Sequence, residues 1–95
     1  MEISEGQNLM REVYLEKDST TGVNGTIIRT FQEMAELSEA VCENQDEHMI
    51  NEELADVFAW LLSLANLLEI DMDQAFRAKY GKGCPKCSQI PCACP

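Results

Sequence analysis

The chain has 95 residues, of which 17 are acidic and 7 are basic, and its formal net charge is -10. This negative charge argues against non-specific binding to nucleic-acid polymers or to an anionic membrane. A chain of this length forms one small domain with a modest core, so we expect a partner subunit. No basic segment followed by an apolar one opens the sequence, which predicts a cytoplasmic protein. In that compartment five cysteines indicate metal ligands or free thiols before disulfides.

The first half of the sequence predicts two helices joined by a loop. Ser4 and Gln7 have capping-box spacing and predict the start of an amphipathic first helix that ends near Lys17. Turn-forming residues fill 18–25 and predict the loop. Thr26 is the predicted N-cap of the second helix, and the predicted inward face of that helix consists of Ile27, Met34, Leu37 and Val41. The second helix is predicted to end at about Cys42, which we interpret as a buried small apolar residue.

The apolar segment 52–68 predicts the central helix of the fold. We expect this helix to start several residues earlier, around Asp46 or Glu47. No charge occurs in 57–68, and at about 100° per residue its apolar side chains surround the helix. It is too short to cross a bilayer, which takes about 20 apolar residues. We therefore predict burial inside protein on nearly every side.

A short fourth helix is predicted for 72–80. Asp71 with Gln74 forms its capping box, and Gly81 is placed where a left-handed helix stop is expected. The predicted fold is an all-α four-helix bundle over residues 1–81, completed by a homodimer or a dimer of dimers. A compositionally distinct, cysteine-rich tail follows at 82–95.

Two pairs of carboxylates carry the main functional signal. Glu33 and Glu36 lie three residues apart on the second helix, and Glu53 and Asp56 have the same spacing on the central helix, so each pair shares a helix face. A helical hairpin would bring the pairs opposite each other. Ionised carboxylates near an apolar core are unfavourable by several kcal/mol per ion unless a positive charge meets them. Hard oxygen ligands suit Mg²⁺, with Mn²⁺ as the alternative.

At these residues the sequence resembles the MazG-like nucleoside triphosphate pyrophosphohydrolases, an all-α family with the signature E-x-x-E, a spacer, and E-x-x-D. The resemblance covers most of residues 8–80. It implies Mg²⁺-dependent hydrolysis of ribo- or deoxynucleoside triphosphates to monophosphate and pyrophosphate, in a role of nucleotide-pool cleaning. It further implies that the metal ligands are Glu33, Glu36, Glu53 and Asp56.

The first motif departs from many relatives at two positions. Gln32 stands where they have a glutamate, and Ala35 stands where they have a glycine. The change at Gln32 removes a carboxylate, so the sequence leaves open how many metal ions bind. The sequence also leaves open which base and sugar the enzyme prefers. An enzyme specific for deoxyuridine nucleotides or for phosphoribosyl-ATP is an alternative within the same chemistry.

Several further residues are candidates for the chemistry. Glu36 and Glu52 are candidates for the base that takes a proton from the attacking water. Trp60 shares the face of the second carboxylate pair and would stack on a nucleobase, or else belong to the core or a subunit interface. The candidate phosphate contacts are Lys17, Lys79 and Lys82, each of which is equally well explained as a solvent-facing lysine. His48 is predicted to lie on the surface.

The tail contains Cys84-x-x-Cys87 and Cys92-x-Cys94. Four thiolates can close a tetrahedral zinc site of the zinc-knuckle kind. A reduced, disordered tail and a disulfide-bonded tail are the alternatives.

Two non-enzymatic functions also stay open. One is a metal-binding bundle akin to di-iron carboxylate proteins, although those need Glu-x-x-His pairs and His48 lies outside both motifs. The other is a protein-interaction module that works through the tail.

Overall fold

The computed structural model describes all 95 residues and contains only helices. The three helices are α1 (Ile3–Cys42), α2 (Glu47–Leu67) and α3 (Met72–Tyr80). The prediction of an all-α fold is therefore confirmed. None of these helices combines the length and the hydropathy that a membrane span requires.

A kink at Gly22 divides α1 into an N-terminal arm (3–21) and a C-terminal arm (23–42). Gly22 has φ 80° and ψ 171°, a combination that essentially only glycine adopts. The four helical segments of the predicted bundle are thus present, but the predicted loop at 18–25 and the helix end near Lys17 are wrong. The hydroxyls of Ser19, Thr20 and Thr21 donate to carbonyls four residues earlier, so residues with turn-forming side chains continue the helix.

The predicted N-cap role of Thr26 is also wrong. Thr26 lies inside the C-terminal arm and is fully buried. Its hydroxyl donates to the carbonyl of Gly22 at 2.8 Å. Thr26 therefore ties the C-terminal arm to the kink instead of starting a separate helix.

The helix ends follow the predictions in part. Asp46 and Asp71 cap α2 and α3 through their side chains, each accepting from a backbone N–H three residues later at 3.0 Å. The predicted box at Ser4 is wrong, because the N-cap of α1 is Glu2, two residues earlier, and the N–H of Glu2 donates to Glu5 at 3.3 Å. Gly81 has a right-handed φ of -61°, not the left-handed one predicted. There a Cβ would collide with the carbonyl of Arg77.

Gln7 has a structural role in place of the predicted cap. Its side chain is buried, donates to the carbonyl of Ile70 at 2.7 Å and accepts from the N–H of Met72 at 2.9 Å. The amide of Asn66 in turn donates to the carbonyl of Gln7 at 3.1 Å. These bonds attach the start of α3 to the N-terminal arm.

The apolar core lies between α1 and α2, where Leu37 and Ala40 of α1 are buried with Val57, Leu62 and Ala65 of α2. The predicted inward face of the second helix is only partly correct, since Ile27, Met34 and Val41 are 37%, 50% and 52% exposed. Cys42 is exposed and not buried as predicted. The main packing partner of α1 is α2, so residues of the C-terminal arm away from that contact face solvent.

The central helix is not covered on nearly every side within one chain. Leu54, Phe58 and Leu61 are 56%, 48% and 39% exposed. Their spacing of four and three residues places them on one face of α2, which we call the apolar stripe. The stripe is open because α1 covers one face of α2 and the short α3 packs against α1.

Candidate active site

Three carboxylates converge between the two long helices. Glu33 projects from the C-terminal arm of α1, while Glu53 and Asp56 project from α2. One ligand oxygen from each lies within 4.8 Å of the other two. We call this group the carboxylate cluster. Glu36, the fourth residue of the predicted set, is exposed and lies outside this tight group.

The electrostatics of the cluster reflect burial and like charge. The pKa of Glu33 is raised, first by burial and then by the charges of Glu36 and Asp56, while Arg29 acts in the opposite direction. The pKa of Glu53 is raised by loss of solvent and by the same two carboxylates. Glu36 therefore contributes to the negative potential of the cluster although it is outside the group. Such a concentration of charge favours a cation.

Two carboxylate oxygens in the cluster have no hydrogen-bond partner. They are Oε2 of Glu33 and Oε2 of Glu53, and both are shielded from solvent. A buried polar atom without a partner costs about 1–3 kcal/mol, and more when the group is charged. Hard divalent cations such as Mg²⁺ take carboxylate oxygens as ligands. The residues present therefore fit a divalent cation, and coordination would satisfy both atoms.

Arg29 is a site residue that sequence reasoning missed. Its Nη2 lies 3.3 Å from Oε1 of Glu33, its Nη1 donates to Gln32 at 2.8 Å, and its guanidinium is 5.4 Å from the centre of the Trp60 ring. The available signal was the four-residue spacing of Arg29 and Glu33 on one helix face. Gln32 accepts the hydrogen bond that holds this arginine in place.

A cavity of about 230 Å³ adjoins the cluster, between the N-terminal arm and α2. Its wall consists of two runs of residues at helical spacing: Met10, Tyr14, Lys17, Asp18 and Thr21 of α1, and Asp56, Ala59, Trp60 and Ser63 of α2. Asp56 belongs to both the cavity and the carboxylate cluster. A molecule in the cavity would therefore reach the cluster directly.

The cavity brings together two of the four predicted substrate contacts, Trp60 and Lys17. Lys79 and Lys82 do not line it, and the Nζ of Lys79 lies 5.7 Å from the centre of the Tyr80 ring. Glu52, a predicted candidate for the base, lies 3.2 Å from Nε2 of the exposed His48. The surface position predicted for His48 is confirmed.

Asp18 is the second residue that the sequence did not reveal. It is 5% exposed, lines the cavity, and its Oδ2 is buried with no hydrogen-bond partner. The sequence placed it in a loop, which hid its four-residue spacing from Tyr14 on the cavity face of α1.

The four tail cysteines form a second cluster. One sulfur from each of Cys84, Cys87, Cys92 and Cys94 lies within 4.8 Å of the others. Hydrogen bonds from the backbone N–H groups of Cys87 and Lys86 lower the pKa of Cys84 to about 6. The thiol of Cys94, which hydrogen-bonds to the other three, has its pKa raised to about 11.

This arrangement has the chemistry of a thiolate metal site. The backbone N–H of Ala93 donates to the sulfur of Cys87 at 3.3 Å, and Ser88 closes the preceding turn by donating to the carbonyl of Cys84 at 2.7 Å. Amide hydrogen bonds stabilise thiolates, which are the form that binds metal. Four sulfurs at this separation fit a tetrahedral ion such as Zn²⁺.

The fold and the carboxylate cluster together define an all-α protein with an acidic inter-helix site. The sequence model of the MazG nucleotide pyrophosphohydrolase domain matches residues 22–88, which is more than half of the chain. The chain therefore belongs to the MazG nucleotide pyrophosphohydrolase family, as the sequence resemblance predicted. The match contains both carboxylate pairs but not the N-terminal arm. No curated protein matches the chain.

Proposed function

We propose that this protein hydrolyses ribo- or deoxynucleoside triphosphates to monophosphate and pyrophosphate with Mg²⁺, and thereby removes unwanted nucleotides. The observation that carries the proposal is the convergence of Glu33, Glu53 and Asp56 with two buried, unpartnered oxygens in a chain of this family. Mn²⁺ is the alternative ion, since it prefers the same oxygen ligands.

Each residue at the site has a distinct role in this proposal. Glu33, Glu53 and Asp56 hold the metal, with Glu36 as a further ligand at the exposed edge. When bound, the metal neutralises the triphosphate and lowers the pKa of a coordinated water. Glu36 is the favoured base for that water, because it is exposed and lies beside the cluster without belonging to its tight group. Glu52 is the weaker candidate, since His48 holds its carboxylate.

The substrate would extend from the cluster into the cavity. Trp60 offers a ring for stacking a nucleobase, and bases stack on aromatic side chains with about 1–3 kcal/mol each. Arg29 and Lys17 are the cations nearest this path and would meet the phosphates. Lys79 and Lys82 remain candidate phosphate contacts, although neither lines the cavity.

For the cysteine cluster we propose a structural zinc ion. Residues 82–95 then form a small metal-stabilised unit that follows the helical domain at 1–81. The sulfurs are 4.8 Å apart at most, and the tail has few apolar side chains beyond the exposed Ile90. A segment without a core depends on a metal for order.

We also propose that a second copy of the chain covers the apolar stripe. Leu54, Phe58 and Leu61 lie next to the carboxylate motif on α2, and two such faces packed antiparallel would bury each other. We expect a solution mass corresponding to a dimer or a tetramer. Phe58→Glu should shift the mass toward that of one chain.

The test of the enzymatic function is pyrophosphate release from a panel of nucleoside triphosphates with Mg²⁺. Glu53→Gln should lower the rate by about 100-fold or more, since even the partners of metal ligands contribute 10–100-fold. Glu12→Gln, on the exposed face of α1, removes one charge away from the site and should leave the rate unchanged.

Two outcomes would contradict the enzymatic proposal. A folded, metal-binding protein that cleaves no triphosphate would favour the non-enzymatic metal-binding bundle. Full activity in Glu53→Gln, together with loss of function on deletion of residues 82–95, would favour the interaction module.

A further inference from the structure

Asp18 is an unsatisfied carboxylate in the wall of the cavity. It is 5% exposed and its Oδ2 has no hydrogen-bond partner. The chain forms three ion pairs, and none of them involves Asp18. Lys17 precedes it, but that residue is exposed. The structure of the single chain therefore gives no internal reason for a buried aspartate here.

An ionised carboxylate only accepts hydrogen bonds. A buried acceptor that lines a cavity is satisfied when a ligand brings a donor to it, and a ligand that brings an acceptor is rejected. Ser63, which is also buried in the cavity wall, carries a hydroxyl that can donate or accept. Ser63 accommodates either kind of ligand group, so among the buried polar residues of the cavity wall discrimination falls to Asp18.

The size and position of the cavity indicate which part of a nucleotide it would hold. Its volume of about 230 Å³ lies below the roughly 300–1,000 Å³ of sites that take whole drug-sized ligands. Asp56 joins the cavity to the carboxylate cluster, and Trp60 forms part of the wall. With the phosphates at the cluster, the group inside the cavity is the base.

We propose that Asp18 reads the base by accepting a hydrogen bond from an exocyclic amino group, and so selects amino-bearing bases over uracil and thymine. Cytosine presents an N4 amino donor and adenine an N6 amino donor, whereas thymine presents an O4 acceptor at the corresponding place. Uracil carries the same O4, and a carboxylate facing it would remain unpaired. This inference rests on the proposed function, because that function supplies the nucleotide.

The sharpest test compares cytosine and uracil nucleotides, which differ at the base only in amino versus keto and the resulting ring protonation. Dissociation constants for dCMP and dUMP, measured by calorimetry with Mg²⁺ present, report base selection independently of turnover, because neither nucleotide has a phosphoanhydride bond to cleave. The native protein should bind dCMP about tenfold or more tightly than dUMP, as expected for one hydrogen bond to a charged group. The same ratio should appear in kcat/KM for dCTP against dUTP with Mg²⁺.

Asp18→Asn keeps the size of the side chain and presents both a donor and an acceptor. It should reduce the dCMP preference to near parity, a fall of roughly tenfold. Glu12→Gln removes an exposed carboxylate from the same arm and should retain the native ratio. Circular dichroism of each variant shows whether the helices are intact.

The outcomes separate this inference from the enzymatic proposal. The role of Asp18 is overturned if folded Asp18→Asn keeps the native ratio of dCMP to dUMP affinity, or if it loses affinity for both nucleotides equally. Either result leaves the Glu53-dependent turnover of the enzymatic proposal intact. A native preference for dUMP overturns it whether or not the variant folds. An Asp18-dependent preference for dCMP in a protein that cleaves no triphosphate supports base selection and removes only the hydrolysis.

Discussion

The guanidinium of Arg29 lies 5.4 Å from the centre of the Trp60 ring. The same side chain reaches Oε1 of Glu33 at 3.3 Å and is half exposed. Arg29 therefore connects the wall of the cavity with the carboxylate cluster, and it is the only cation of the chain that forms an ion pair with a cluster residue. A phosphate bound near the cluster would meet this guanidinium.

Replacing Arg29 should separate metal binding from substrate binding. Arg29→Ala removes positive charge beside Glu33, so Mg²⁺ affinity measured by calorimetry should stay the same or increase. The KM for a nucleoside triphosphate should rise about tenfold or more, because a hydrogen bond to a charged group contributes about 1.5–3 kcal/mol. Arg29→Lys should restore only part of this loss, since an ammonium lacks the planar, forked donors of arginine. A parallel fall in Mg²⁺ affinity would contradict this role.

Replacing Trp60 should show whether its ring stacks on the base or packs in the core. If the ring stacks on the base, Trp60→Ala should raise the KM for a nucleoside triphosphate about tenfold, in line with about 1–3 kcal/mol per stacked base. Hydrolysis of inorganic tripolyphosphate, which has no base, should change little in Trp60→Ala. The KM of Trp60→Phe for the nucleoside triphosphate should lie between those of the native protein and Trp60→Ala. An equal loss on both substrates with a lower Tm would indicate a packing role.

The metal-free protein should lose stability as the pH rises through the native pKa of Glu53. This pKa is raised, so the native carboxyl keeps its proton where the unfolded chain, with a pKa of about 4.3, has released it. The contribution of Glu53 to the free energy of unfolding is complete below the unfolded-chain pKa and is lost as the pH rises through the native pKa. Glu53→Gln cannot ionise, so in EDTA its Tm should exceed the native value by a margin that grows from about pH 4 to pH 7.

Added Mg²⁺ provides the control for that measurement. The ion stabilises the native protein by binding the folded state, so it should reduce or reverse the advantage of Glu53→Gln at neutral pH. Glu12→Gln should show no such pH-dependent margin. A variant that is less stable than the native protein at neutral pH in EDTA would contradict the raised pKa.

Local sequence patterns identified the carboxylates because their spacing is itself local. Glu33, Glu53 and Asp56 needed only two helical periods and a short connection to converge. The caps at Asp46 and Asp71 were likewise visible, since a capping side chain and its N–H partner lie three residues apart. Features that depend on neighbouring residues were therefore predictable.

The N-terminal arm could not be predicted in the same way. Its hydroxyl residues have turn-forming tendencies, yet Thr21 bonds back to the carbonyl of Lys17 and the helix continues to the kink. The loop prediction hid the common face of Tyr14 and Asp18, and with it half of the cavity wall. The burial of the α2 side chains could not be predicted from the sequence either, because their burial depends on which other elements pack against that helix.

The kink should be sensitive to any side chain at Gly22. With φ 80° and ψ 171°, an alanine would be strained at a cost of about 1–3 kcal/mol. A Cβ there would have no neighbour within 4 Å, so the loss arises from the backbone alone. Gly22→Ala should lower the free energy of unfolding in urea by that amount. Ala35→Gly, in the C-terminal arm, should lose about 1 kcal/mol or less, and equal losses would argue against strain at the kink.

The zinc proposal predicts one metal ion per chain that depends on the tail thiolates. The purified protein should contain about one equivalent of zinc, and replacement by Co²⁺ should give the absorption bands of tetrahedral thiolate coordination. Cys84→Ser removes the sulfur whose pKa is lowered to about 6, so the variant should lose the metal and the tail should become sensitive to protease. Cys42→Ser changes an exposed cysteine outside the cluster and should keep both the metal and the protection. Full zinc content in Cys84→Ser, or a native tail that resists protease after chelation under reducing conditions, would show that the tail is ordered without this site.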